Sequence, residues 1–119
     1  PTYVPVECRN GSAWYEDKRI QTPEPSPSPG QHLIVVPPEK LLLVTAAEPS
    51  SGINVLYTTV DDIIYQGDSF VCYAVLRDGR QLTLRDYCRS DVLARLPAPG
   101  QPIRLGLDAQ DTILVAAER

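Results

Sequence analysis

Residues 60–84, VDDIIYQGDSFVCYAVLRDGRQLTL, constrain this chain more than any other segment. Apolar residues recur there at near-alternate positions, the period-2 signature of strands. The alternation breaks at Gln66-Gly67-Asp68 and again at Asp78-Gly79. Asp-Gly between two apolar runs is a strong hairpin signal, and the connection expected at Asp78-Gly79 is a type I′ turn with positive φ at both central positions. Three consecutive antiparallel strands joined by two tight turns follow from this spacing.

The flanking residues extend the pattern. A long strand is expected from about residue 53 to 65, and neither of its faces is cleanly polar. Such a strand bends or carries a bulge, here at Asp61-Asp62. Residues 70–77 read as a strand buried on both faces. The third strand alternates cleanly, with Leu82 and Leu84 inward and Gln81, Thr83 and Arg85 outward. Residues 90–96, SDVLARL, read as a short helix with Ser90 as N-cap, Asp91 in its first turn and Val92, Leu93 and Leu96 on its apolar face. Pro97-Ala98-Pro99-Gly100 ends it. Strands at 102–107 and 112–116, joined by a turn at 108–111, close the chain. Three meander strands, a helix and two more strands are the order of the OB-fold, a five-stranded partly open barrel.

The N-terminal third is strand and connector. Residues 2–8 suit a short edge strand, because Pro5 cannot donate to a ladder. Asn10-Gly11 marks a turn, and residues 12–21, SAWYEDKRIQ, return as the second strand of a hairpin. The tract 22–30, TPEPSPSPG, reads as an exposed extended connector. A strand at 32–36 stops at Pro37-Pro38, Glu39-Lys40 fits a tight turn, residues 41–44 resume as a strand, and 46–52 form a loop. The expected fold class is all-β: an OB-like small barrel with a short helix and an additional N-terminal β-hairpin lobe. Residues 1–119 form one module on this reading, with the strands and connector at 1–36 and the barrel body at 37–119.

Composition narrows the function classes. The formal net charge of −4 argues against generic nucleic-acid binding, which shows as a basic face. Cys8, Cys72 and Cys88 are widely spaced, and His32 has no partner at metal-ligand spacing, so no metal site is expected. The cysteines read as reduced, a Cys72–Cys88 bridge being open only in an oxidising compartment. No apolar run approaches the ~18 residues that span a bilayer, and no signal peptide is apparent. The absence of methionine, even at position 1, leads us to expect a piece of a longer protein.

Candidate sites are few. Asp61 and Asp62 are adjacent on a strand and point to opposite faces, so they do not converge as a metal or acid–base pair. Arg77, Arg80, Arg85 and Arg89 lie on one hairpin and its exit. They read either as solvent-facing charges or as a grip for an anion, a facing subunit or an acidic partner. Trp14 and Tyr15, at a hairpin end, are candidates for an exposed aromatic contact. The remaining aromatics read as core or interface packing more readily than as stacking platforms. No GxSxG elbow accompanies His32, which argues against a hydrolase.

Several of these segments together resemble the transport-associated OB (TOBE) domain of ATP-binding subunits in bacterial ABC importers. The resemblance is carried by Pro38-Glu39-Lys40 before an apolar strand, Gly52-Ile53-Asn54, Val60 and Ile64-Tyr65-Gln66-Gly67-Asp68. It continues through Asp78-Gly79, Arg95-Leu96-Pro97-Ala98-Pro99-Gly100-Gln101 and the terminal strand-turn-strand. It is closest in flavour to spermidine/putrescine importers, although Pro37 stands where that family usually has arginine. The resemblance implies a non-catalytic regulatory and interaction domain in the uptake of a polyamine or other small solute. It would contact a second copy, sense a small ligand, and sit at the inner face of the plasma membrane beneath a permease. Its other partner would be the ATP-binding domain of the same parent chain. No cofactor is expected here: ATP and Mg would belong to the parent, because no GxxxxGK[ST] loop is present and neither Lys18 nor Lys40 follows glycines. The alternative is a free-standing OB-fold binder of an oligonucleotide or small oxyanion.

Overall fold

A computed structural model describes residues 2–23, 28–45 and 51–117. Its ten strands form two five-stranded sheets. The first sheet has the order β10-β4-β1-β2-β3, from β1 (Thr2–Arg9), β2 (Ser12–Tyr15), β3 (Lys18–Ile20), β4 (Gly30–Val36) and β10 (Ile113–Ala116). The second has the order β5-β9-β6-β7-β8, from β5 (Leu42–Leu43), β6 (Ile53–Gln66), β7 (Ser69–Val75), β8 (Gln81–Tyr87) and β9 (Pro102–Asp108). A single helical turn, α1 (Ser90–Leu93), links β8 to β9.

The expected meander is present as β6-β7-β8, all antiparallel. Its register slips between Val60 and Asp62, which places the bulge at the paired aspartates. Alternation then decides the packing. Val60, Phe70, Cys72, Ala74, Leu82 and Leu84 point inward and are buried. They share one core with Val4, Val6, Ile34 and Val36 of the first sheet. Phe70 is wholly buried, which contributes about 2–3 kcal/mol relative to exposure. Cys8 and Cys72 are buried and free, and Cys88 is half-buried and free.

The two meander turns use different chemistry. At the first, Gly67 takes φ +68° at the leading central position, as a type II′ turn requires. At the second, only Gly79 has positive φ, at +91°, so the expected type I′ turn does not form. Gly79 N–H donates to the Leu76 carbonyl at 2.9 Å and Leu76 N–H to Arg80 at 2.8 Å. This is a type I turn closed by a glycine bulge, and the Asp78 carboxylate accepts the Arg80 N–H at 3.0 Å. The type I′ pattern appears instead at Asn10-Gly11, with φ of 52° and 77°.

Other expectations are corrected. β1 is interior to its sheet, not an edge: β4 pairs with it from Thr2 to Cys8, and β2 covers its far side at Glu7–Arg9. Pro5 is tolerated because β2 stops short of it, so the proline lies where the strand has one partner. Residues 12–21 form two strands, since Glu16 at φ +55° turns the chain back into β3. The strand expected at 41–44 shortens to β5, after a 3₁₀ turn at Pro38–Lys40. The helix ends at Leu93, and its N-cap is Arg89, not Ser90. β10 does not close the barrel against the meander; it crosses to the first sheet and pairs with β4. Residues 24–27 of the expected connector at 22–30 and residues 46–50 of the expected loop at 46–52 lie outside the described residues.

Polar side chains fasten the two sheets. The buried Asn54 amide copies a backbone: its Oδ1 accepts the Gln21 N–H and its Nδ2 donates to the Gln21 carbonyl, both at 2.8 Å. The same Nδ2 donates to Thr112 Oγ1 at 2.8 Å, and that hydroxyl donates to the Asp108 carbonyl at 2.9 Å. At the opposite end, Thr2 Oγ1 donates to the Gln81 carbonyl at 2.6 Å and Arg80 Nη1 to the Tyr3 carbonyl at 3.1 Å.

Candidate functional site

The arginines singled out from the sequence do not converge. Arg80 bonds Asp78 at 3.1 Å and reaches back to Tyr3, so its role is to hold the turn against β1. Arg89 lies between Asp86 at 3.4 Å and Asp91 at 3.7 Å. Arg77 points across to Glu16 at 3.7 Å with its side chain 85% exposed. Arg85 is exposed on β8. The expectation that Trp14 and Tyr15 together form an exposed aromatic contact is corrected. Tyr15 faces the core, because alternation along β2 turns it inward with Ala13. Burial raises its pKa, with Glu16 and Asp78 adding to the shift. Trp14, on the outer face, is covered by the Arg9 guanidinium 4.9 Å from its ring.

A different surface gathers polar and aromatic groups: the outer face of the second sheet around Tyr57. Alternation along β6 buries Leu56 and Thr58 and turns Tyr57 outward, half exposed. Lys18 lies over its ring at 4.5 Å, and Arg104 is its register partner on β9. On the Lys18 side is a trough of about 530 Å³ lined by Glu16, Asp17, Lys18 and Arg77, whose charges balance. On the Arg104 side is a cleft of about 470 Å³, whose lining includes Val44, Thr45, Pro97 and Pro102 together with Tyr57, Arg95 and Arg104. None of the described residues lining this cleft is acidic.

The sequence sets the cleft's walls. Gly106 lies opposite Leu42, and a Cβ there would meet Val44 Cγ2 at 2.8 Å and Ile53 Cγ2 at 3.0 Å. The missing side chain therefore lets the Val44 wall stand close to β9. The opposite wall is the prolyl connector after α1. Gly100 N–H donates to the Val60 carbonyl at 2.8 Å, and Val60 N–H donates to Gln101 at 2.9 Å. Both backbone groups of Val60, at the edge of the bulge, thus anchor the segment that carries Arg95 and Pro97. Arg95 is exposed and has no ion-pair partner among the described residues. In the sequence Arg95 stands out only as part of a motif, and Arg104 does not stand out at all. Outward alternation in residues 102–107 was the available signal for Arg104, but the wall it faces comes from distant residues.

The described residues contain no cluster of His, Cys, Asp and Glu able to hold a metal, and none of their helices is long and apolar enough to cross a membrane. His32 is buried, with Nδ1 3.3 Å from the Gly30 carbonyl.

The β6-β7-β8 meander, α1 and the return of β9 beside β6 define an OB-like all-β domain. The TOBE domain model matches residues 34–115, and the chain belongs to that family. The fold is similar to that of the cytoplasmic molybdate-binding protein ModG in a molybdate-bound crystal form, with a TM-score of 0.64 and 22% identity. That alignment covers 76% of this chain and 65% of ModG, so the chain spans slightly less than two-thirds of that protein. At this identity the likeness is one of fold. Comparison with curated proteins finds no significant sequence match.

Proposed function

We propose that this chain is a non-catalytic regulatory and interaction domain of an ABC importer's ATP-binding subunit, serving uptake of a polyamine or another small solute. The observation that carries this reading is the TOBE match, which spans the meander, the helical turn and both closing strands. The domain would act by contact: with the ATP-binding domain of its parent, with a second copy across a two-fold axis, and through them with membrane permease subunits. Among the described residues β10 is an edge strand, and it exposes Ile113 and Val115; this suits such a contact, since an unpaired strand edge is a template for association. The described residues do not fit ATP or its magnesium, having neither a glycine-rich phosphate loop nor a metal-ligand cluster. Both would be held elsewhere in the parent, at the cytoplasmic face of the membrane.

A second reading, a free-standing binder of a small oxyanion, is favoured by the fold shared with a molybdate-binding protein. The reading frame upstream of this segment separates the two. A phosphate loop of the form GxxxxGK[ST], and ATPase activity of the purified parent, are the expected results. An upstream frame without a nucleotide-binding domain would overturn the importer reading.

A further inference from the structure

We infer that the cleft between β5 and the prolyl connector after α1 is a binding site for a small organic anion: a carboxylate or phosphate group on an apolar or aromatic body. The inference deepens the solute-sensing half of the proposed function, yet it is tested on this chain alone.

Four observations converge on it. First, two guanidiniums, Arg95 and Arg104, line one cleft whose described lining has no carboxylate. Arginine is the side chain best matched to the paired oxygens of carboxylate and phosphate. Second, Arg95 differs from Arg77, Arg80 and Arg89, each of which has a carboxylate partner within 4 Å. Arg95 has none among the described residues, so an incoming anion would not have to displace one. Third, apart from Thr45 the remaining walls are apolar: Leu43, Val44, Pro97, Pro102 and Ile103, with the half-exposed Tyr57 ring. A volume of about 470 Å³ is far more than a bare inorganic oxyanion fills, and it falls in the range of small-molecule pockets. Fourth, the walls are held by the backbone. The Gly100 and Gln101 bonds to Val60 anchor one side, and the absent Gly106 side chain admits the other, so binding needs little ordering.

The chemistry is recognition alone. The anionic head pairs with Arg95 beside the positive charge of Arg104, and the apolar body lies along the prolines and the tyrosine ring.

Phenyl phosphate and inorganic phosphate serve as probes, titrated calorimetrically against the 119-residue chain. Phenyl phosphate should bind at least about ten-fold more tightly than inorganic phosphate. Arg95→Gln should weaken phenyl phosphate binding about ten-fold or more, the cost of one charge-assisted contact. Arg85→Gln makes the same charge change at an exposed residue of β8 that does not line the cleft and should leave the affinity within two-fold, roughly the effect of a screened surface charge. Equal weakening by both variants, equal affinity for the two probes, or no binding at millimolar phenyl phosphate would overturn the site. If binding holds in this chain but the parent's ATPase rate ignores the anion, the importer reading fails while the site stands.

Discussion

The seam between the two sheets and the cleft beside Tyr57 use polar side chains in opposite ways. At the seam, polar atoms are spent on the chain itself. Asn54 satisfies both backbone groups of Gln21 and reaches Thr112, and Arg80 bonds both Asp78 and Tyr3. In the cleft, Arg95 is left without an ion-pair partner among the described residues, and Tyr57 is half exposed. The hairpin that looked richest in positive charge in the sequence is the one whose charges are mostly consumed internally. Charge density along a chain therefore says little about which charges are available to a ligand.

The comparison breaks most visibly at Asn54. Asn54→Ala should cost about 2–3 kcal/mol in urea denaturation, because it leaves buried partners unsatisfied at Gln21 and Thr112. A loss below about 0.5 kcal/mol, the size of an ordinary surface change, would mean that the seam does not hold the sheets together.

A pH series probes the core behind the seam. Burial pushes the Cys72 thiol up to about 11. The folded state thus keeps a proton that the unfolded chain releases above its ordinary thiol value, so stability is complete below about pH 9 and falls between pH 9 and 11. The loss should reach roughly 3 kcal/mol. Cys72→Ala should flatten that part of the curve, with Tyr15 contributing what decline remains, since its raised pKa acts in the same direction.

The smallest effects draw the sharpest line. Arg80→Gln removes the contact to the Tyr3 carbonyl and should cost about 1 kcal/mol. Arg95→Gln should change stability by less than about 0.5 kcal/mol, as expected for an exposed side chain with no bond to lose. If the two variants are equally destabilising, Arg95 is structural and the contrast between the regions disappears.

Much of the fold is legible in local pattern. The meander, the bulge at Asp61-Asp62 and the inward leucines of β8 all follow from a two-residue period. What local pattern does not carry is the identity of non-local partners. Nothing in residues 112–116 says that β10 pairs with β4 and not with the meander. The phase of alternation that buries Tyr15 with Ala13 is set by the pairing of β2, and the extra turn at Glu16 has a non-glycine residue at positive φ against its usual preference. The cleft is harder still, because its walls come from residues 43–45, 57, 95, 97 and 102–104, brought together only by the β5-β9-β6 pairing. The arginines were visible; their surroundings were not.

The most direct test maps the anion onto the chain. Amide ¹H–¹⁵N spectra recorded during a phenyl phosphate titration should shift at Val44, Tyr57, Arg95 and Arg104 and remain still at Arg80 and Arg89. Shifts centred on the β7–β8 hairpin, with the cleft silent, would contradict the division between a self-satisfied seam and an open site.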